Sequence, residues 1–154
     1  MDNASQPKSV SRPETLDAGL LMLRIGAGFS LFALFGLAKV KSAFAFSVHH
    51  QPWIFIEFLR RLGFPLPTVA AFVQTLNESL GGLFVLIGFY TRIAAAFLTV
   101  GFAIATYCSA RIAEPSVFMA ACYCLMFLVL SLTGPGRYSI DNLRAVAIAT
   151  PTKR

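Results

Sequence analysis

A single carboxylate, Glu78, interrupts the otherwise uncharged stretch from Leu62 to Thr91. A stretch that long and apolar can cross a bilayer. An ionisable side chain at its midpoint costs about 2.5–3.5 kcal/mol on insertion scales, so it must be paired, functional or both. Gln74 lies one helical turn before it and Asn77 beside it, so a helix here carries a polar stripe of Gln74, Asn77 and Glu78, with Gly81 and Gly82 alongside. A buried carboxylate with neighbouring carboxamides can bind a proton or the polar head of a lipophilic ligand. Arg24 is the one charge inside the first apolar run. Counted from the ends of the two runs, Arg24 and Glu78 differ in depth by roughly 6 Å, so a buried ion pair between them is expected. Lys39, at the far end of the first run, reads as an interface anchor or as a lysine at the outer entrance of a cavity.

Four apolar runs must position these groups: Gly19 to Ala38, Thr68 to Phe89, Ile93 to Ala110 and Pro115 to Thr133. Each is near the ~20 residues that cross a hydrocarbon core. With no water to satisfy open backbone groups, each should be a helix. The chain is 56% hydrophobic and 13% charged, outside the usual mix of soluble domains. The fold class expected is therefore all-α, an integral membrane four-helix bundle. Its parts would be a polar N-terminal segment (1–18), the membrane domain (19–136) and a C-terminal tail (137–154). The net charge of +6 forms no patch. Lys and Arg stand singly or in pairs at the ends of apolar runs, which excludes nucleic acid as a partner and leaves the lipid bilayer.

The Lys and Arg distribution also orients the chain. One side would carry Lys8, Arg12, Arg92, Arg137, Arg144, Lys153 and Arg154, and the other Lys39, Lys41, Arg60, Arg61 and Arg111. The bias places both termini in the cytoplasm. Between the first two spans, Trp53 to Leu62 puts Glu57, Arg60 and Arg61 on one face and apolar side chains on the rest. That segment fits an amphipathic helix lying in the interface, a plain connector more readily than a gate over a ligand path.

The remaining reactive types read as structural. His49 and His50 are adjacent and point apart, which suits one shared metal poorly, and no metal site is expected. Cys122 and Cys124 lie about 200° apart on a helix and cannot comfortably bridge. A Cys108–Cys122 bridge needs unfavourable depths, so the cysteines read as small packing residues. Arg137 and Tyr138 suit headgroup anchoring. Ser139 or Asp141 would cap a short helix through Ala149, a surface on which a soluble partner could also dock. Small-residue pairs such as Gly26/Ser30 and Gly101/Ala105 suit internal packing or a homo-oligomer.

Several segments in order resemble the DoxX family of small four-helix membrane proteins. They are Arg24-Ile-Gly-Ala-Gly28, Phe35-Gly36-Leu-Ala-Lys39, Leu62-Gly-Phe-Pro-Leu-Pro67, Glu78-Ser-Leu-Gly-Gly82, Gly88-Phe-Tyr-Thr-Arg92 and Gly134-Pro-Gly-Arg-Tyr-Ser-Ile-Asp141. The resemblance spans about residues 19 to 142. It implies a bundle in the bacterial inner membrane and a loose link to redox chemistry. Some relatives look like subunits of a thiosulfate:quinone oxidoreductase, and others associate with thiol-oxidative-stress enzymes. The sequence holds no nucleotide loop, catalytic triad, flavin fingerprint or covalent-haem run. The leading expectation is thus a membrane subunit of a redox system, at most a non-autonomous oxidoreductase subunit. It would hold a quinone between its helices and dock a soluble or peripheral redox partner. The ligand or proton site expected is Glu78, Arg24, Gln74, Asn77 and Lys39. The alternatives are a transporter or binder of a small lipophilic molecule or acid using Glu78, and an assembly factor without a ligand.

Overall fold

The computed structural model describes residues 14–149. The charges expected at Lys8, Arg12, Lys153 and Arg154 lie outside the described residues. Every regular element among the described residues is helical: α1 (Glu14–Phe29), a π-helical segment (Ser30–Gly36), α2 (Leu37–His49), α3 (Ile54–Arg61), α4 (Pro67–Ile87), α5 (Thr91–Arg111), α6 (Val117–Thr133) and α7 (Ile140–Ala149).

The first span is longer than its apolar run. α1, the π segment and α2 form one rod from Glu14 to His49. At about 1.5 Å per residue such a rod is about 50 Å long, against a hydrocarbon core of about 30 Å, so its ends project beyond the core. The helix already covers residues 14–18, ahead of the apolar run that starts at Gly19, and Asp17 is buried at the bundle end. Its Oδ1 accepts the Arg137 backbone N–H at 3.0 Å, which ties the first turn to the segment after α6. α4 and α5 are each long and apolar enough to cross, and α6 is a shorter apolar helix.

Proline at the first position of α4 sets its start, since the missing N–H would have no partner there. Gly88 ends α4 at φ 76°, a conformation that costs a glycine little, and Tyr90 at φ 45° completes the reversal into α5. α4 and α5 are therefore antiparallel neighbours, as the short turn predicts.

Glycines set how close the first span comes to α4. A Cβ on Gly28 would stand 2.8 Å from the Leu86 backbone nitrogen, one on Gly82 3.0 Å from that of Phe32, and one on Gly36 3.0 Å from Ser79 Cα. These three contacts fix the register of the two helices. α5 and α6 form the other intimate pair. The buried side chains Leu31, Val85, Leu98, Phe127 and Leu130 fill the space between the pairs. α3 is held through Trp53, Ile56 and Leu59, which pack with Ala43 and Ala71. Its Glu57, Arg60 and Arg61 stay exposed on the opposite face, and Glu57 pairs with Arg60.

Large apolar side chains point outward along every span, Leu34, Val69, Ile93, Phe118 and Leu132 among them. Water would penalise such a surface, and acyl chains do not. The chain is an all-α membrane bundle of four helices with an amphipathic helix, α3, at one end.

Candidate functional site: a carboxylate on an apolar cavity

Glu78 faces the bundle interior and is 3% exposed. Its partner is Lys39. The lysine Nζ donates to Glu78 Oε1 at 2.7 Å and to Oε2 at 2.6 Å. Gln74, one turn earlier on α4, donates its Nε2–H to Oε1 at 3.0 Å. Charge-assisted bonds this short are among the strong ones, and they leave the site with no net charge. Lys39 also lies 4.1 Å from the centre of the Phe55 ring, so α3 supplies a second contact to the ammonium.

Arg24 does not take part. Its Nε donates to Val85 O at 3.0 Å and its Nη2 to Leu86 O at 3.4 Å, at the C-terminal turn of α4. Its Nη1 donates to Pro135 O at 2.7 Å and Tyr138 O at 3.0 Å, in the segment after α6. The expected Arg24–Glu78 pair is thus replaced by Lys39–Glu78. The register explains why. Gly36, not Arg24, lies level with Ser79, and Arg24 is twelve positions earlier, about 18 Å along the axis. Arg24 thus joins the last turn of α4 to the segment after α6 through their backbone carbonyls.

The same end holds two caps. Ser139 Oγ accepts the Asn142 N–H at 3.1 Å and caps α7. Asp141 instead accepts the Tyr90 and Thr91 N–H groups at 2.8 and 2.9 Å, capping the start of α5 across the bundle.

Two features bring Lys39 to Glu78. Gly36 and Lys39 are three residues apart and share a face, so the glycine that touches α4 also directs the lysine to it. The π segment does the rest. Its wider turns, closed by Leu37 N–H on Phe32 O, shift the helical phase before α2 begins. Neither is visible in the apolar run, whose end at Ala38 suggests an anchor at the interface. The i,i+3 spacing from Gly36 was the available signal.

Beside the pair lies a cavity of about 410 Å³. Phe35, Phe55, Phe58, Phe97 and Tyr123 form much of its wall, and Lys39, Gln74, Asn77 and Glu78 supply its polar end. Asn77 donates to Phe97 O at 3.2 Å. Gly101 makes room for both carboxamides: a Cβ there would come within 2.7 Å of Asn77 Nδ2 and 2.9 Å of Gln74 Oε1. Tyr123 donates its hydroxyl hydrogen to Ser30 Oγ at 2.9 Å and its ring meets Phe35 edge-on at 6.1 Å. Tyr123 and Gly101 were not singled out as site residues by their sequence context, since an isolated tyrosine or glycine in an apolar run reads as packing.

The other candidates stand apart from this cavity. His49 closes α2 and His50 reverses the chain at φ 53°. Cys108, Cys122 and Cys124 are free thiols, so no Cys108–Cys122 bridge forms. Cys124 lies 3.6 Å from Thr99 O and packs α6 on α5.

In volume and character the cavity suits a ring-bearing lipophilic head: mostly apolar walls and a few convergent polar groups. Lys39 and Gln74 offer N–H donors, while Glu78, Gln74 and Asn77 offer oxygen acceptors.

A family model described as DoxX matches residues 19–111, more than half of the chain. No curated protein and no solved structure matches it significantly.

Proposed function

The chain belongs to the DoxX family, and from that premise we propose that it is the membrane subunit of a redox system whose cavity holds the head of a quinone. The observation that carries this reading is the neutral Lys39–Glu78 pair set at one end of an aromatic-walled cavity. A charged ligand would have to displace one partner of that pair. An uncharged ring with carbonyl or hydroxyl oxygens can join the existing bonds without leaving a buried charge unpaired.

A bound quinone would supply a carrier of two electrons within the bilayer. The protein's own groups would hold it. Lys39 is placed to donate to a carbonyl oxygen, and Glu78 and the Asn77 and Gln74 oxygens to accept from a hydroxyl. The aromatic side chains exclude water, which strengthens each of these bonds. Arg24 has no part in the site. It fixes the end of the bundle against which α7 lies, the surface we assign to a soluble or peripheral partner that delivers the electrons. In this reading the protein resides in a bacterial inner membrane with both termini in the cytoplasm, supported by the excess of Lys and Arg on that side.

Trp53 is the one tryptophan and its ring centre lies 6.0 Å from that of Phe55 on the cavity wall. Quinones quench indole fluorescence. Titrating a short-tailed quinone into the protein in nanodiscs should give saturable quenching. Glu78→Gln should weaken binding by about tenfold, as expected for losing a hydrogen bond to a charged group of about 1.5 kcal/mol. Quenching that is linear in quinone and unchanged by the substitution would refute the reading.

A further inference from the structure

Lys39 and Phe55 stand at a boundary between two spaces. On the inner side is the cavity that holds Glu78. On the other is a shallow recess of about 240 Å³ between α2 and the start of α3, lined by Ala38, Ser42, Pro52 and Trp53 together with the same Lys39 and Phe55. Ala38, Ser42 and Pro52 are exposed, so this recess opens to the surroundings of the bundle.

We infer that the recess is an entrance through which the ligand reaches the cavity, and that the Phe55 side chain is the gate between them. This rests on the cavity being a ligand site, as proposed above. The gate is a side chain and not the whole helix. α3 is fixed by Trp53, Ile56 and Leu59, each buried against α2 and α4. Phe55 is only half-buried. Besides its ring contacts with Trp53 and Phe58 at 6.0 and 6.3 Å, it meets the Lys39 ammonium at 4.1 Å. Rotating the ring breaks that contact and joins the recess to the cavity, while the Lys39–Glu78 bonds need not change. Lys39 is 22% exposed against 4% for Glu78. It is therefore the first donor that a carbonyl oxygen arriving from the recess would meet. A ring entering this way passes from Trp53 to Phe55 to the aromatic wall, with apolar faces along the route.

The gate separates rates from affinity, and the test uses that separation. Stopped-flow quenching of Trp53 by a short-tailed quinone gives entry and exit rates in nanodiscs. Phe55→Ala should raise both by about tenfold, the factor that corresponds to removing a cation–π contact of roughly 1.4 kcal/mol. Because Phe55 also lines the cavity and contacts Lys39, affinity is read on a substitution at Ser42, which lines the recess and not the cavity and should leave the dissociation constant within about threefold. Ser42→Phe fills the recess from an exposed position, where folding should tolerate it, and should slow both rates. If binding saturates but neither substitution changes the rates, the ligand enters elsewhere and the inference falls while the site stands. If Phe55→Ala does not fold, Ser42→Phe decides alone. If the wild-type protein shows no saturable binding, the site and its gate fall together.

Discussion

Removing Lys39 should cost far more than removing both members of its pair. Glu78 has a side chain only 4% exposed, and all of its described hydrogen bonds come from Lys39 and Gln74. Lys39→Met keeps most of the volume and the apolar stem but strands the carboxylate with one amide donor. Stranding a buried charge costs about 3–5 kcal/mol. Glu78→Gln is less severe. The ammonium it leaves behind is 22% exposed and has a flexible stem that can carry it towards the recess, so a loss of about 1–2 kcal/mol is expected. The double variant removes both charges, and replacing a buried pair by neutral groups is often close to neutral. The cycle should therefore show a coupling of about 4–7 kcal/mol, above the roughly 0.5–3 kcal/mol usual for groups in contact, because one single variant strands a buried charge. Unfolding in mixed micelles, with helicity followed against denaturing detergent, gives the four stabilities. A Lys39→Met protein as stable as wild type would refute the reasoning, because it would mean that the carboxylate has water or another cation available. So would single losses that simply add.

Three further substitutions separate the frame from the cavity. Arg24→Lys removes the fork that reaches four carbonyls; it should lower stability by about 2–3 kcal/mol while quinone affinity in folded protein stays within about twofold. Gly28→Ala places a Cβ 2.8 Å from α4 backbone that cannot yield, and should cost about 1–3 kcal/mol as overpacking does, measured by the same unfolding assay. Gly101→Ala meets only the ends of Gln74 and Asn77, so the fold should persist while saturable Trp53 quenching weakens by about tenfold, the size of one misplaced hydrogen bond.

The spans and their order were legible because membrane burial makes hydropathy a direct readout of helices. The interfacial α3 was legible too: Glu57, Arg60 and Arg61 on one face leave only an interface for it to occupy. That Glu78 would be buried and paired followed from its isolation among uncharged neighbours. What failed was the partner. Estimating depth from the ends of apolar runs assumes that both helices start level, whereas the observed register comes from Gly28, Gly36 and Gly82 meeting α4 and the first span. Backbone contacts of that kind leave no trace in hydropathy. The run of the first helix past Lys39 to His49 was hidden for a similar reason. Lys41 and Ser42 end the apolar pattern, yet they sit on the outer side of a helix that simply continues. The fate of Asp141 shows the same limit, since it lies at the start of α7 but serves the N-terminus of α5, a partner fixed only by the closed bundle.

The wide turns at Ser30–Gly36 make the first span sensitive to its residue count. Each residue added to or lost from a helix turns everything beyond it by about 100°. Deleting one residue between Arg24 and Lys39 would leave hydropathy almost untouched, yet the ammonium would swing to a flank of the rod and the α4 carboxylate would lose its countercharge. The tolerance of this helix to single-residue gaps should therefore be lower than that of α6, which aims no charged group at a partner.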